Sequence, residues 1–137
     1  MRRRSDKEVD FERLADALAT YRVAYLVTVD DDYRVHTVTV APELQDRTIA
    51  VGLIGGRTRR NVEKHGDVTL LWPPSDPGGY SLIVDGHAEV LGASDGIDDA
   101  VALQLAPTRA LLHRNADLDV TGSGAGALHD CVVFSQP

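Results

Sequence analysis

Short runs of strand-forming residues, each followed within a few positions by a turn signal, constrain this chain more than any other feature. Residues 22–29 read Arg-Val-Ala-Tyr-Leu-Val-Thr-Val, rich in β-branched and aromatic side chains. Asp30-Asp31-Asp32 follows as a turn, and residues 34–40 alternate β-branched with polar residues, so the two runs predict a hairpin. Gln45-Asp46-Arg47 marks a second turn, and residues 48–54 a third strand. Residues 68–72 are wholly strand-forming and suit burial on both faces. Pro73, Pro74 and Pro77 with Gly78-Gly79 then force a loop. A long strand is predicted over 80–91, with Asp85-Gly86 marking a bulge or bend inside it. Residues 129–135 form the last apolar strand. Six strands joined largely as hairpins predict a mainly β protein, a small closed or partly closed antiparallel barrel.

Helices are few in this reading. Phe11, Leu14, Ala15 and Leu18 fall at i, i+3, i+4 and i+7, with Asp10 as N-cap. Residues 59–65 suit a short helix capped by Thr58, with Gly66 just past its end. Residues 97–114 predict one or two helices interrupted near Pro107, and 115–128 a polar, glycine-rich connection. At 137 residues and 43% hydrophobic, residues 1–137 fit a single domain with its own core. A net charge of −7 argues against a nucleic-acid or membrane surface. Arg2-Arg3-Arg4 reads as a solvated end. The lone Cys131 allows no intrachain disulfide. The charged N-terminus leads into no apolar signal core, and no run approaches the ~18 apolar residues of a membrane span. The expected location is cytoplasmic.

Against that acidic background, Gly55-Gly56-Arg57-Thr58-Arg59-Arg60-Asn61 places three arginines within four residues, where a strand gives way to a helix. Cations at a helix N-terminus oppose the helix dipole. An anion held by free backbone N–H groups and guanidinium forks would reconcile them, and phosphate is the first candidate. Thr58 would add its hydroxyl, and the glycines allow close backbone approach. The same arginines would equally serve as a solvated helix start paired with Glu63, Asp67 or other acids. Successive helical residues diverge by about 100°, so the three cannot all face one ligand.

The run Gly56-Arg57-Thr58-Arg59-Arg60-Asn61-Val62, then Val68-Thr69-Leu70-Leu71-Trp72-Pro73, then Ser81-Leu82-Ile83-Val84-Asp85-Gly86-His87-Ala88-Glu89-Val90, resembles the pyridoxamine 5′-phosphate oxidase-like, FMN-binding split-barrel family. The resemblance covers about residues 10–92 and rests on motif order and spacing. It implies a six-stranded antiparallel split β-barrel of Greek-key type with a few short helices. It also implies a homodimer, with the flavin in a cleft at the subunit interface. The cofactor phosphate maps onto Arg57 and Thr58, with Arg59, Arg60 and the adjoining Asn61 as helpers. The ring maps onto His36, Thr37, Val38 and Thr39. Tyr80 and Ser81 stand where members often carry an Arg-Gln pair near the flavin, sometimes reaching it from the other subunit. Three departures matter. Thr58 replaces the usual lysine, His36 stands where pyridoxamine phosphate oxidases carry arginine, and the substrate-contacting C-terminal segment of those enzymes has no counterpart. Oxidation of pyridoxamine phosphate is therefore not implied.

Two functions follow from this resemblance. One is an FMN-dependent oxidoreductase acting on a small molecule; the other is a non-catalytic protein binding a flavin or deazaflavin for storage, sensing or transfer. A third reading keeps the barrel alone, with the cofactor site lapsed. The remaining residues offer little chemistry. His36, His65, His87, His113 and His129 lack the i, i+4 spacing of a helical metal pair, and no metal is expected. Of these, only His36 is placed to touch flavin edge atoms. Trp72 either stacks near the flavin or fills the barrel, with core packing favoured. Gly122-Ser123-Gly124-Ala125-Gly126 lacks the strand–turn–helix context of a nucleotide loop. Cys131 reads as a buried thiol, and Asp95, Asp98 and Asp99 as helix-start acids.

Overall fold

A computed structural model describes residues 8–93, 100–115 and 129–136. The first hairpin joins β1 (Ala24–Val29) to β2 (Val35–Val40). Tyr33 turns the chain at φ 61°, and the Asp30 carboxylate accepts the backbone N–H groups of Asp32 and Arg34 at 2.8 and 2.9 Å. This is the aspartate-led turn chemistry expected of Asp30-Asp31-Asp32. The second hairpin joins β3 (Glu43–Gln45) to β4 (Thr48–Ile54) through Asp46, also at φ 61°. The remaining strands are β5 (Asp67–Trp72), β6 (Ser81–Ala93), β7 (Val101–Asn115) and β8 (His129–Val133). Neighbours run β2-β1-β5-β6-β7-β4-β3, with β8 on the second half of β7, and every pairing is antiparallel.

The architecture is the mainly β split barrel that the sequence predicts, with eight strands among the described residues where six were expected. The two additions are the three-residue β3 and the long β7. Residues 101–115 are strand and not helix. Val101, Leu103 and Leu105 are buried at period two, and Gln104 reaches Thr48 of β4 with its amide at 2.7 Å. Pro107 is tolerated because the β6–β7 register shifts there. Asp85 faces Arg109 while Gly86 faces Pro107, which leaves Thr108 as an extra residue in β7. The irregularity expected at Asp85-Gly86 is thus present, and it explains the glycine. A Cβ on Gly86 would lie 2.5 Å from the Ala106 carbonyl oxygen and 2.8 Å from Leu105 Cγ.

One continuous core packs against the sheet, drawing Leu26, Leu70, Trp72, Leu82, Val84, Leu103 and Leu105 from four strands. Trp72 is 1% exposed, so it belongs to this core. Helix α1 (Phe11–Leu18) is capped by Asp10, whose carboxylate accepts the Arg13 N–H at 3.2 Å. It buries Leu14 fully, while Ala15 faces solvent and Ala17 takes the inward place expected of it. Helix α2 (Gly56–Lys64) starts earlier than predicted. Its N-cap is Gly55, and Thr58 lies inside the first turn. Gly55 precedes the helix with an extended backbone, so the β4 strand runs directly into α2 without a side-chain cap. Cys131 is exposed, not buried, with its sulfur 3.3 Å from His113 Nδ1. The 122–126 glycine segment and Asp95, Asp98 and Asp99 lie outside the described residues.

Candidate functional site

Starting α2 at Gly56 decides which way its arginines point. Thr58, Asn61 and Val62, at i, i+3 and i+4, form the buried stripe of the helix. The Asn61 amide donates to Thr28 Oγ1 at 3.1 Å, a buried bond that fixes the helix to β1. Arg57 and Arg60 lie one position behind this stripe and share a neighbouring, exposed face. Arg59 turns to the other flank and pairs with Glu63 at 3.6 Å.

Arg57, Arg60 and Asn61 line a recess of about 370 Å³ whose other walls are Asp30, Arg34, Val35 and His36. Its volume falls within the ~300–1,000 Å³ of small-molecule sites. Three arginines therefore line one cavity: two from α2 and one from the turn residue just before β2. Among the described residues, none of the three has an ion-pair partner. The first N–H groups of α2 have no partner within the helix, and no side chain caps them. The recess can bind an anion through forks and backbone donors together.

The opposite end of α2 is tied to the β1–β2 turn. Lys64 donates to Asp31, and His65 lies 3.5 Å from the same carboxylate, with its ring centroid 5.8 Å from that of Tyr33. The hydrogen bond from Lys64, followed by its charge and that of His65, holds the Asp31 carboxyl below the ordinary aspartate range. The same bond raises the Lys64 ammonium. A depressed carboxyl contributes stability above its unfolded value, which is lost as the pH falls through the lower folded value. Wild type should therefore lose thermal stability more steeply than Asp31→Asn below about pH 4. The difference should be small, because the pair is exposed. Parallel acid limbs in thermal melts of the two proteins would contradict this.

The site residues named from sequence separate into three places. His36, Arg57, Arg60 and Asn61 line the recess. Thr58 adjoins it, but its side chain is 2% exposed and faces the core, leaving its backbone N–H as the group available to a ligand. Thr37, Val38 and Thr39 continue β2 away from the recess, on an edge strand paired on one side only. Ser81 is remote. Val27 pairs with Thr69 and Val68 with Gly86, so the recess lies level with Gly86, and Ser81 stands five residues further along β6, about 17 Å away. Beside it, Tyr80 donates to Asp130 at 2.6 Å under the Arg114 guanidinium, 4.5 Å from the ring centroid. Sequence reading missed Arg34 and Asp30. The available signal was the position of Arg34 at the end of the Asp30-Asp31-Asp32 turn, two residues before His36.

Among the described residues no group of three or more His, Cys, Asp or Glu side chains is placed to hold a metal ion. Also among them, no helix is long and apolar enough to cross a membrane.

No model of a known protein family matches the chain. Two curated relatives do: the uncharacterized proteins Mb0449c of Mycobacterium bovis and MT0457 of Mycobacterium tuberculosis. Each is 54% identical over 140 residues, spanning 96% of this chain and 98% of its own. Several solved structures share the fold at low identity. A protein of Clostridium acetobutylicum related to general stress protein 26, of the pyridoxinephosphate oxidase family, superposes with a TM-score of 0.64. It is 13% identical, over 90% of this chain and 92% of that one. A FAD-binding protein of Mesorhizobium loti gives 0.58 at 15% identity, over 73% and 89%. The haem storage protein HutZ of Vibrio cholerae gives 0.57 at 16%, over 72% and 90%. The chain thus belongs to one family with the two mycobacterial proteins, and its fold is that of the pyridoxamine 5′-phosphate oxidase-like split barrels.

Proposed function

We propose that this protein binds a flavin, with the cofactor's phosphate in the recess between α2 and the β1–β2 hairpin. The observation that carries the reading is the convergence of Arg34, Arg57 and Arg60 on one cavity with no ion-pair partner among the described residues, in a chain of net charge −7. Isolated cations in an acidic protein find carboxylates readily, so three unpaired guanidiniums around one cavity favour an external anion. Arg57 and Arg60 hold the phosphate oxygens, and the N–H groups of Gly56, Arg57 and Thr58 complete the cradle. Asn61 holds the helix in place through Thr28.

Residues 36–39 line the flat ring. Among the described residues β2 is an edge strand, so its outward N–H and C=O groups can bond ring heteroatoms. Tyr33 and Val35, 75% and 66% exposed, leave apolar surface at the rim for the ring or a second subunit. Ser81 enters the site only from a second copy, because it is too far along β6 in its own chain. With Ser81 taken as a site residue, the assembly proposed is a homodimer with the cofactor at the interface, and the location proposed is cytoplasmic.

FMN is the first cofactor reading, a deazaflavin the alternative, and the activity proposed is electron transfer between the cofactor and a small molecule. A bound flavin supplies the redox chemistry itself. The protein binds the phosphate, orients the ring along β2 and excludes water from one ring face. A non-catalytic flavin carrier built on the same site is the competing outcome.

Titration of FMN into the purified protein tests the reading. Saturable quenching or enhancement of flavin fluorescence is expected, with riboflavin binding much more weakly. Unchanged fluorescence across the titration would remove FMN, and a deazaflavin titration would then test the alternative. Bound flavin that neither a nicotinamide donor nor air can cycle would assign the protein as a carrier.

A further inference from the structure

We infer that Tyr33 and His65 form an aromatic shelf for the adenine of a dinucleotide flavin, so that the site continues past the cofactor's first phosphate and accepts FAD. The inference rests on the flavin reading above and extends it to a second ring. Among the described residues, Tyr33 is the most exposed large hydrophobic side chain, at 75%. It also stands at φ 61°, where glycine or asparagine would hold the turn with less strain. A bulky ring kept on left-handed backbone and left in solvent gains nothing from burial, which points to a role outside the core.

The ring is held in place from two sides. The Tyr33 N–H donates to the Asp30 carbonyl at 2.9 Å, and the Asp30 carboxylate fixes the N–H groups of Asp32 and Arg34 on either side of it. One side of the ring rests on His65, with centroids 5.8 Å apart and planes tilted by 41°, within the range of aromatic pairs. His65 is itself drawn towards Asp31, which Lys64 anchors to the end of α2. An immobilised aromatic ring stacks a base at low ordering cost.

Its position fits a base carried beyond a phosphate. Tyr33 adjoins Arg34, which lines the recess, while residues 36–39 run on from Arg34 in the other direction. The recess therefore lies between the strand assigned to the isoalloxazine and the shelf. On the helix, His65 follows Arg60 by five residues, about 7.5 Å along the axis. A flavin held by its phosphate at Arg57 and Arg60 with its ring along β2 turns its phosphate end towards Tyr33. FMN stops there. FAD continues through a second phosphate and a ribose to a flat base. The lining carries three arginines against one aspartate, a surplus of two positive charges, which matches the two charges of a pyrophosphate. An extension without an aromatic ring gains nothing from the shelf.

Fluorescence titrations of FAD and FMN into wild type, Tyr33→Asn and Tyr33→Phe test the inference. Asparagine removes the ring and tolerates the left-handed turn, and phenylalanine keeps the ring. Tyr33→Asn should lose ~5–100-fold in FAD affinity, the range of one base stacked on an aromatic side chain, and leave FMN unchanged. Tyr33→Phe should bind FAD like wild type. An unchanged ratio of FAD to FMN affinity in Tyr33→Asn overturns the inference, whether both flavins weaken together or neither does. FMN binding without FAD binding overturns it as well, and leaves the flavin reading standing. If neither flavin binds, the flavin reading fails by itself, and the shelf is decided by thermal melts with ADP and inorganic pyrophosphate. Greater stabilisation of wild type by ADP, with the difference lost in Tyr33→Asn, upholds a base site. Equal stabilisation by the two, or none by either, overturns it.

Discussion

Replacing Arg57 and Arg60 together by alanine is expected to weaken FMN binding by ~10²–10⁴-fold while leaving the fold intact. Hydrogen bonds to charged groups contribute about 1.5–3 kcal/mol each, so losing both forks removes ~3–6 kcal/mol. Both side chains are exposed and, among the described residues, make no ion pair, so their removal should leave thermal stability nearly unchanged. Arg59→Ala is the internal control. Its partner is the exposed Glu63, an i, i+4 contact worth about 0.3–0.5 kcal/mol, and its side chain lines no part of the recess. Flavin affinity in that variant should stay close to wild type. If the double variant and Arg59→Ala bind FMN alike, the phosphate does not sit at this helix. The single variants carry a sharper expectation than the sequence supports. Arg57 and Arg60 share one face at i, i+3, so each should cost affinity, and neither should be dispensable.

The sequence exposes the hairpins, and the site only in part, for separable reasons. Asp30-Asp31-Asp32 and Gln45-Asp46-Arg47 are local signals whose side chains bond their own backbone, so they survive translation into structure. β7 does not have that property. Val101 to Arg114 is rich in Ala, Leu and Arg, which favour helix in isolation. Its strand state is imposed by pairing along the whole of β6 and by burial of Val101, Leu103 and Leu105, which are tertiary effects. The arginine cluster was visible because its charge contradicts both the helix dipole and the chain's acidity. The division of labour within it was not. That depends on whether α2 starts at Gly56 or at Arg59, and a glycine N-cap carries no side-chain signature. A shift of a few residues exchanges Thr58 between ligand and core, and Arg34 belongs to the site only because the hairpin folds back onto α2.

Trp72→Ala should be among the most destabilising single substitutions in the molecule, at about 3–5 kcal/mol. Trp72 ends β5, is 1% exposed, and pairs in register with Leu82 of β6 inside the common core. Truncation removes the largest buried side chain and leaves a cavity bounded by strands whose backbone bonds prevent collapse. Trp72→Phe should cost clearly less, since much of the volume and of the apolar contact is kept. Because Trp72 is the only tryptophan, its fluorescence reports unfolding directly in wild type, and circular dichroism serves for both variants. The two substitutions also separate packing from ligand contact. Trp72 ends β5 at the strand end level with Leu82, far from the recess, which lies level with Gly86. Trp72→Phe should therefore shift the denaturation midpoint while leaving flavin affinity unchanged. Flavin affinity falling in Trp72→Phe without a change in midpoint would place the indole against the ring and contradict its assignment to the core.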